Sequence, residues 1–97
     1  MTASSNEGPL GRFIREWIAS HNLDRKLNQA RIVEAWPEVV GQMITKHTTD
    51  IYFKGSRLFV KLDSPALKNE LSYSKSQIIE SLNETVGEEI VSEIVFS

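Results

Sequence analysis

Two histidines, His21 and His47, and no cysteine limit the chemistry open to this 97-residue chain. Zinc takes about four ligands, so a metal site would have to recruit scattered carboxylates, and none is expected. Ser64, His47 and Asp63 are the residue types of a hydrolytic triad, but no nucleophile elbow surrounds the serine. Asp63-Ser64-Pro65 reads better as a helix start, with a hydroxyl at the N-cap and a proline whose fixed φ suits the first turn. No glycine-rich phosphate loop ending in Lys-Ser or Lys-Thr is present. The expectation is a protein with no catalytic residues, cofactor, metal or small-molecule substrate, working through binding.

The pattern with most chemical content is a set of alternating residues in the middle of the chain. Tyr52 and Lys54, then Arg57, Phe59 and Lys61, interleave aromatic rings with cations at a period of two. On one face of a sheet such residues could stack bases and neutralise phosphates of a single strand. The same five residues could instead form a cross-strand aromatic pair on a solvated sheet, or one covered by the N-terminal segment. Lys46, Lys68 and Lys75 would enlarge the basic surface if the fold brought them near. Gly8-Pro9-Leu10-Gly11 matches the GxxG loop with which KH domains clamp a nucleic-acid backbone, yet it precedes the first helix where the clamp needs to join two helices.

These residues require a hairpin. Ile51 and Phe53 alternate with Asp50, Tyr52 and Lys54, Lys54-Gly55-Ser56-Arg57 makes a turn, and Leu58, Val60 and Leu62 alternate with Arg57, Phe59 and Lys61. One face is therefore apolar and the other basic and aromatic. Upstream, Leu10, Phe13, Ile14, Trp17 and Ile18 recur at helical spacing, and Ser20-His21-Asn22 is expected to end that first helix. Asn28 can cap a second helix with Ile32, Val33 and Trp36 as its stripe, until Pro37 breaks or restarts it. Both tryptophans, Trp17 and Trp36, are expected in the core. Downstream, one helix of roughly 30 Å is expected from Pro65 to Val86, stopped by Gly87 in the left-handed C′ position, with a last strand over residues 90–96.

The resulting order is ααββαβ, an α+β fold whose three-stranded sheet packs all its helices on one face. Residues 1–8 are polar and aperiodic and read as a disordered lead-in, leaving 9–97 as a single domain. Composition agrees with one ordinary globular unit, at 40% hydrophobic and 25% charged residues. No stretch approaches the roughly 18–20 apolar residues of a membrane helix, so no membrane partner is expected and the cytoplasm is the default location. The net charge of -2 divides unevenly: residues 80–97 hold five acids and no base, while residues 1–79 hold eight acids and all eleven bases. The acidic end reads as a solvated helix face, and it would also repel DNA from that side.

Several short segments, taken in order, carry a resemblance. They are Trp36-Pro37-Glu38-Val39-Val40-Gly41, Lys46-His47-Thr48, Arg57-Leu58-Phe59-Val60, Ser64-Pro65-Ala66-Leu67-Lys68-Asn69-Glu70-Leu71, and Leu82-Asn83 before Gly87. Together they resemble the DciA family of bacterial replicative-helicase loaders, long described as a domain of unknown function, in the short form seen in Bacteroidetes-type bacteria. The resemblance implies a KH-like fold, ATP-independent association with the DnaB-type replicative helicase, help in loading that ring on single-stranded DNA, and some DNA affinity of its own; the expectation from the residues is weak single-stranded DNA binding through the face of Tyr52, Lys54, Arg57, Phe59 and Lys61. Two other readings stay open: a stand-alone KH-like nucleic-acid-binding module, and a non-catalytic structural adaptor or homodimer pairing through a strand edge or apolar patch.

Overall fold

The computed structural model describes residues 8–97. Helix α1 runs from Pro9 to Val40 and α2 from Gln42 to Lys46, followed by strands β1 (Thr48–Lys54) and β2 (Arg57–Leu62). Helices α3 (Pro65–Leu71) and α4 (Lys75–Val86) then lead to β3 (Glu93–Phe96). The fold is α+β, with one three-stranded sheet in the order β1-β2-β3. β1 and β2 pair antiparallel, and β3 returns parallel to β2. Of the expected lead-in over residues 1–8, residues 1–7 lie outside the described residues, and Gly8 is the N-cap of α1.

The first two helices expected from the sequence are one helix of 32 residues. Ser20-His21-Asn22 does not stop it. Residues 20–28 contain neither glycine nor proline, and each of these three costs only a few tenths of a kcal/mol in helix propensity. Pro37 does not end it either: the helix runs on to Val40, where Gly41 N donates to Pro37 O at 2.9 Å. The break comes at Gly41, whose φ of 90° and ψ of 169° suit glycine alone. Thr45 Oγ1 donates to Gly41 O at 2.7 Å and steadies the restart into α2.

Trp36 is 2% exposed and sits at the centre of the core. Its indole Nε1 donates to Thr48 Oγ1 at 3.1 Å, and the Thr48 hydroxyl donates in turn to Ile44 O at 2.8 Å. This relay ties α1, α2 and the start of β1 together. The other residues of the core are Ile32 of α1, Leu58 and Val60 of β2, Leu71 of α3, Ile78 and Leu82 of α4, Ile90 and Val91, and Ile94 and Phe96 of β3.

The hairpin follows its alternation. Gly55 has a φ of 62° and Ser56 has not, which fits the type II′ loop that matches strand twist. A bulge between Thr48 and Asp50 leaves Thr49 without a register partner.

The long helix expected from Pro65 to Val86 is two helices. Ser64 caps the first as expected, its Oγ accepting from Leu67 N at 3.3 Å. At Ser72-Tyr73-Ser74 the backbone tightens, with Tyr73 N donating to Glu70 O and Ser74 N to Leu71 O. Ser72 Oγ also donates to Asn69 O, a local bond that competes with the helix ladder. The apolar stripe hides this break because Leu71 and Ile78 stay in phase across it, although no apolar residue stands at 74 or 75.

Gly87 takes the left-handed cap with φ 69° and ψ 22°. Glu88 N bonds Asn83 O and Gly87 N bonds Glu84 O, the two bonds of a Schellman ending. The Asn83 side chain then holds the following loop: Oδ1 accepts from Ile90 N and Val91 N, and Nδ2 donates to Val91 O. Ile90 and Val91 are therefore buried outside the strand, which begins only at Glu93.

Trp17 lies outside the core. It is 59% exposed, and Leu10, Phe13, Ile14 and Ile18 are exposed with it. An unbroken helix of 32 residues is roughly 48 Å long. Only its C-terminal part reaches the sheet, so among the described residues no other element packs against the first stripe, and the molecule measures 59 × 22 × 20 Å. The two tryptophans should separate in stability measurements. Trp36→Ala is expected to cost about 3–5 kcal/mol. Trp17→Ala should change the unfolding free energy of dilute protein by less than about 0.5 kcal/mol. Equilibrium urea denaturation checks both.

Candidate nucleic-acid interface

Burial of Leu58 and Val60 on the inner side of β2 turns Arg57, Phe59 and Lys61 outward, because side chains alternate along a strand. The register sets Tyr52 opposite Phe59 and Lys54 opposite Arg57. The two rings stack with centroids 5.4 Å apart and planes 6° from parallel. Lys54 Nζ stands 5.9 Å and Arg57 Cζ 5.4 Å from the centroid of the Phe59 ring, within cation–π range. Phe59 is thus the half-buried base of the cluster, and Tyr52, 36% exposed, is its accessible aromatic.

The structure brings four of the five candidate residues, Tyr52, Lys54, Arg57 and Phe59, into one cluster. Lys61 is exposed two positions beyond Phe59 on the same side of β2, opposite Asp50 in the register. Val95 of β3 pairs in register with Phe59 and extends the apolar floor.

Glu93 is the residue that sequence reasoning left out of this face. It pairs in register with Arg57, and Arg57 Nε donates to Glu93 Oε1 at 2.9 Å. Both side chains are more than half exposed, so the pair is worth little in stability and is weakened by salt. Its importance is electrostatic, since it offsets one of three cations. Only the parallel placement of β3 beside β2 could have revealed it.

Other candidates separate from this face. Lys75 Nζ lies 6.0 Å from the centroid of the Phe96 ring, and Phe96 belongs to the covered side of the sheet. Lys68 stands on α3, the helix whose Leu71 enters the same core. Neither joins the aromatic cluster. Gly8-Pro9-Leu10-Gly11 forms the start of α1 and connects no two helices. His47 Nδ1 and Asp63 Oδ1 approach to 2.7 Å, but the Ser64 hydroxyl serves as the α3 cap. Among the described residues no group of three or more His, Cys, Asp or Glu could hold a metal ion. Among the same residues no helix is long and apolar enough to cross a membrane.

The architecture is that of a small α+β domain with one sheet face covered by helices and the other carrying an aromatic and basic cluster. Residues 9–96 match the family described as "Dna[CI] antecedent, DciA", and the chain belongs to that family. It is also similar to a UPF0232 protein of Corynebacterium glutamicum (strain R), with 28% identity over 85 residues that cover 88% of this chain and 48% of the relative. The chain spans about half the length of that curated relative.

The ring stack gives a direct test of the site's geometry. A double-mutant cycle of Tyr52→Ala and Phe59→Ala should show a coupling energy of about 0.5–1.5 kcal/mol in urea unfolding. Strict additivity of the two substitutions would mean that the rings do not stack in solution.

Proposed function

We propose that this protein is a DNA-replication accessory factor that binds a DnaB-type replicative helicase in the cytoplasm and assists its loading on single-stranded DNA, with no ATPase activity of its own. Membership of the DciA family over residues 9–96 is the observation that carries this reading. Such a factor acts by binding one state of its partner better than another, which shifts the population of a loadable ring. The KH-like description draws on the return of the last strand, parallel to the second strand of the hairpin, through a pair of helices.

The outer sheet face supports a modest contribution from DNA. Tyr52 offers a ring for stacking a base, Phe59 supports it from beneath, and Lys54, Arg57 and Lys61 provide cations for phosphates. Asp50 and Glu93 reduce the positive field on the same face, which fits weak binding.

Light scattering after size exclusion of this protein with the replicative helicase of the same organism is expected to show a stable complex. No complex, together with unchanged helicase loading, would refute the loader reading. In a titration with single-stranded DNA, replacing Lys54, Arg57 and Lys61 by Gln should weaken binding at low salt. Each phosphate contact removed should flatten the slope of log affinity against log salt by about 0.7. Glu93→Gln should act in the opposite direction and tighten DNA binding. The cluster also favours a second reading, a stand-alone nucleic-acid-binding module, which salt-sensitive DNA binding without a helicase complex would select.

A further inference from the structure

The tip of the hairpin lies against α1, and the join is lined by hydrogen-bond donors. Gln29 Nε2 donates to Gly55 O at 2.8 Å and holds the tip to the helix. Asn22, Arg25, Lys26 and Gln29 follow the i, i+3, i+4, i+7 spacing that places residues on one side of a helix. These four residues and Gly55 line a notch between α1 and the tip, and no carboxylate is among them. Arg25 and Lys26 are exposed, and among the described residues neither makes an ion pair. Glu88, which approaches the same part of α1, accepts from Asn28 Nδ2 at 3.0 Å.

The notch begins where the outer sheet face ends. Gly55 follows Lys54 directly, and Lys54 stands over the Phe59 ring that stacks with Tyr52. The tip is bare: Gly55 has a φ of 62°, and a Cβ added there would meet nothing within 4 Å. A strand passing over it meets backbone first, then two cations and two amides, the donor types that contact phosphates and sugars. Ser56 fixes the tip from its other side, its carbonyl accepting from Ser92 N at 2.9 Å and its hydroxyl lying 2.6 Å from that of Ser92. The two basic regions therefore keep one spacing. Their compensation differs, since Arg57 is paired with Glu93 and Lys61 faces Asp50 across the register, whereas no acid lines the notch.

We propose that the notch is a second phosphate site for the single strand that meets the sheet face, with Arg25 and Lys26 as its cations. The strand leaves the Tyr52 stack, crosses Gly55 and continues against α1. This extends the DNA contact proposed above and rests on that reading. The occupant follows from charge complementarity and from continuity with the aromatic and basic face. It is unpaired, because Tyr52 can stack only a base that is free of its complement.

Fluorescence anisotropy of the full chain with a labelled oligothymidylate of about twelve nucleotides, within the span of single-domain sites, tests this. The double substitution Arg25→Gln, Lys26→Gln, at exposed positions, should leave the circular dichroism spectrum unchanged and weaken binding roughly tenfold at low salt. It should also flatten the slope of log affinity against log salt by about 1.4, two contacts at about 0.7 each. The control Lys68→Gln, Lys75→Gln, which removes the same charge away from the aromatic cluster, should alter neither quantity. The amide resonances of Lys26 and Gly55 are expected to shift when DNA is added. Wild-type binding by the Arg25→Gln, Lys26→Gln variant, while substitution of Lys54, Arg57 and Lys61 weakens it, would overturn the notch and leave the sheet face standing. Equal losses in the notch variant and the control would overturn it too, because only overall charge would then matter. No DNA binding by the unsubstituted protein would overturn the notch together with the sheet-face contact.

Discussion

The central strand of the sheet can bury only one set of its side chains, and the rest of the molecule is arranged around that choice. Leu58 and Val60 are fully buried, so β2 has no freedom of register: a slip of one residue would expose both and drive Arg57, Phe59 and Lys61 into the core. Burying a branched aliphatic side chain is worth roughly 1.5–3 kcal/mol, whereas burying an unpaired cation costs several times more. Sheet register, the side on which the helices pack and the identity of the outward face are therefore one decision. The aromatic and basic cluster exists because the apolar alternation is satisfied on the other side.

Helix α1 serves two ends of the molecule through a single piece of backbone. Its C-terminal part supplies Ile32 and Trp36 to the core, and the Trp36 indole is held by the Thr48 hydroxyl at the entrance to β1. Its N-terminal part carries a second apolar stripe that no other element among the described residues covers. Nothing in the local energetics distinguishes the two stripes. What separates them is the rigidity of an uninterrupted helix, which cannot turn its first half back over the sheet.

The proposed role in helicase loading assigns different work to these surfaces. On that proposal the sheet face would make the weaker, salt-sensitive contact with a single strand, since its cations are partly offset by Asp50 and Glu93. The apolar helix arm has the character of a protein-binding element, and it lies at the other extremity of an elongated molecule from the C-terminal half of α1. An accessory protein that acts through binding energy alone gains from keeping such surfaces separate, because each partner can then bias the ensemble independently.

Features governed by neighbours along the chain were legible in the sequence. The alternation over residues 51–62 gave the hairpin and both of its faces, Ser64-Pro65 marked a helix start, and Gly87 marked a helix end. The candidate residues Tyr52, Lys54, Arg57, Phe59 and Lys61 followed from that alternation, and the ordered segments from Trp36 to Gly87 carried the family. Tertiary structure decided what depends on distant partners. Continuity of α1 through Ser20-His21-Asn22 rests on small propensity differences that cannot by themselves stop a helix. The break at Ser72-Tyr73-Ser74 was masked by a stripe that stays in phase across it. The ion pair of Arg57 with Glu93, the clamp of Asn83 on residues 90–91 and the exposure of Trp17 all depend on which elements come to lie side by side. Periodicity records that a residue is apolar and which way it faces on its own element, but it does not record whether another element arrives to cover it.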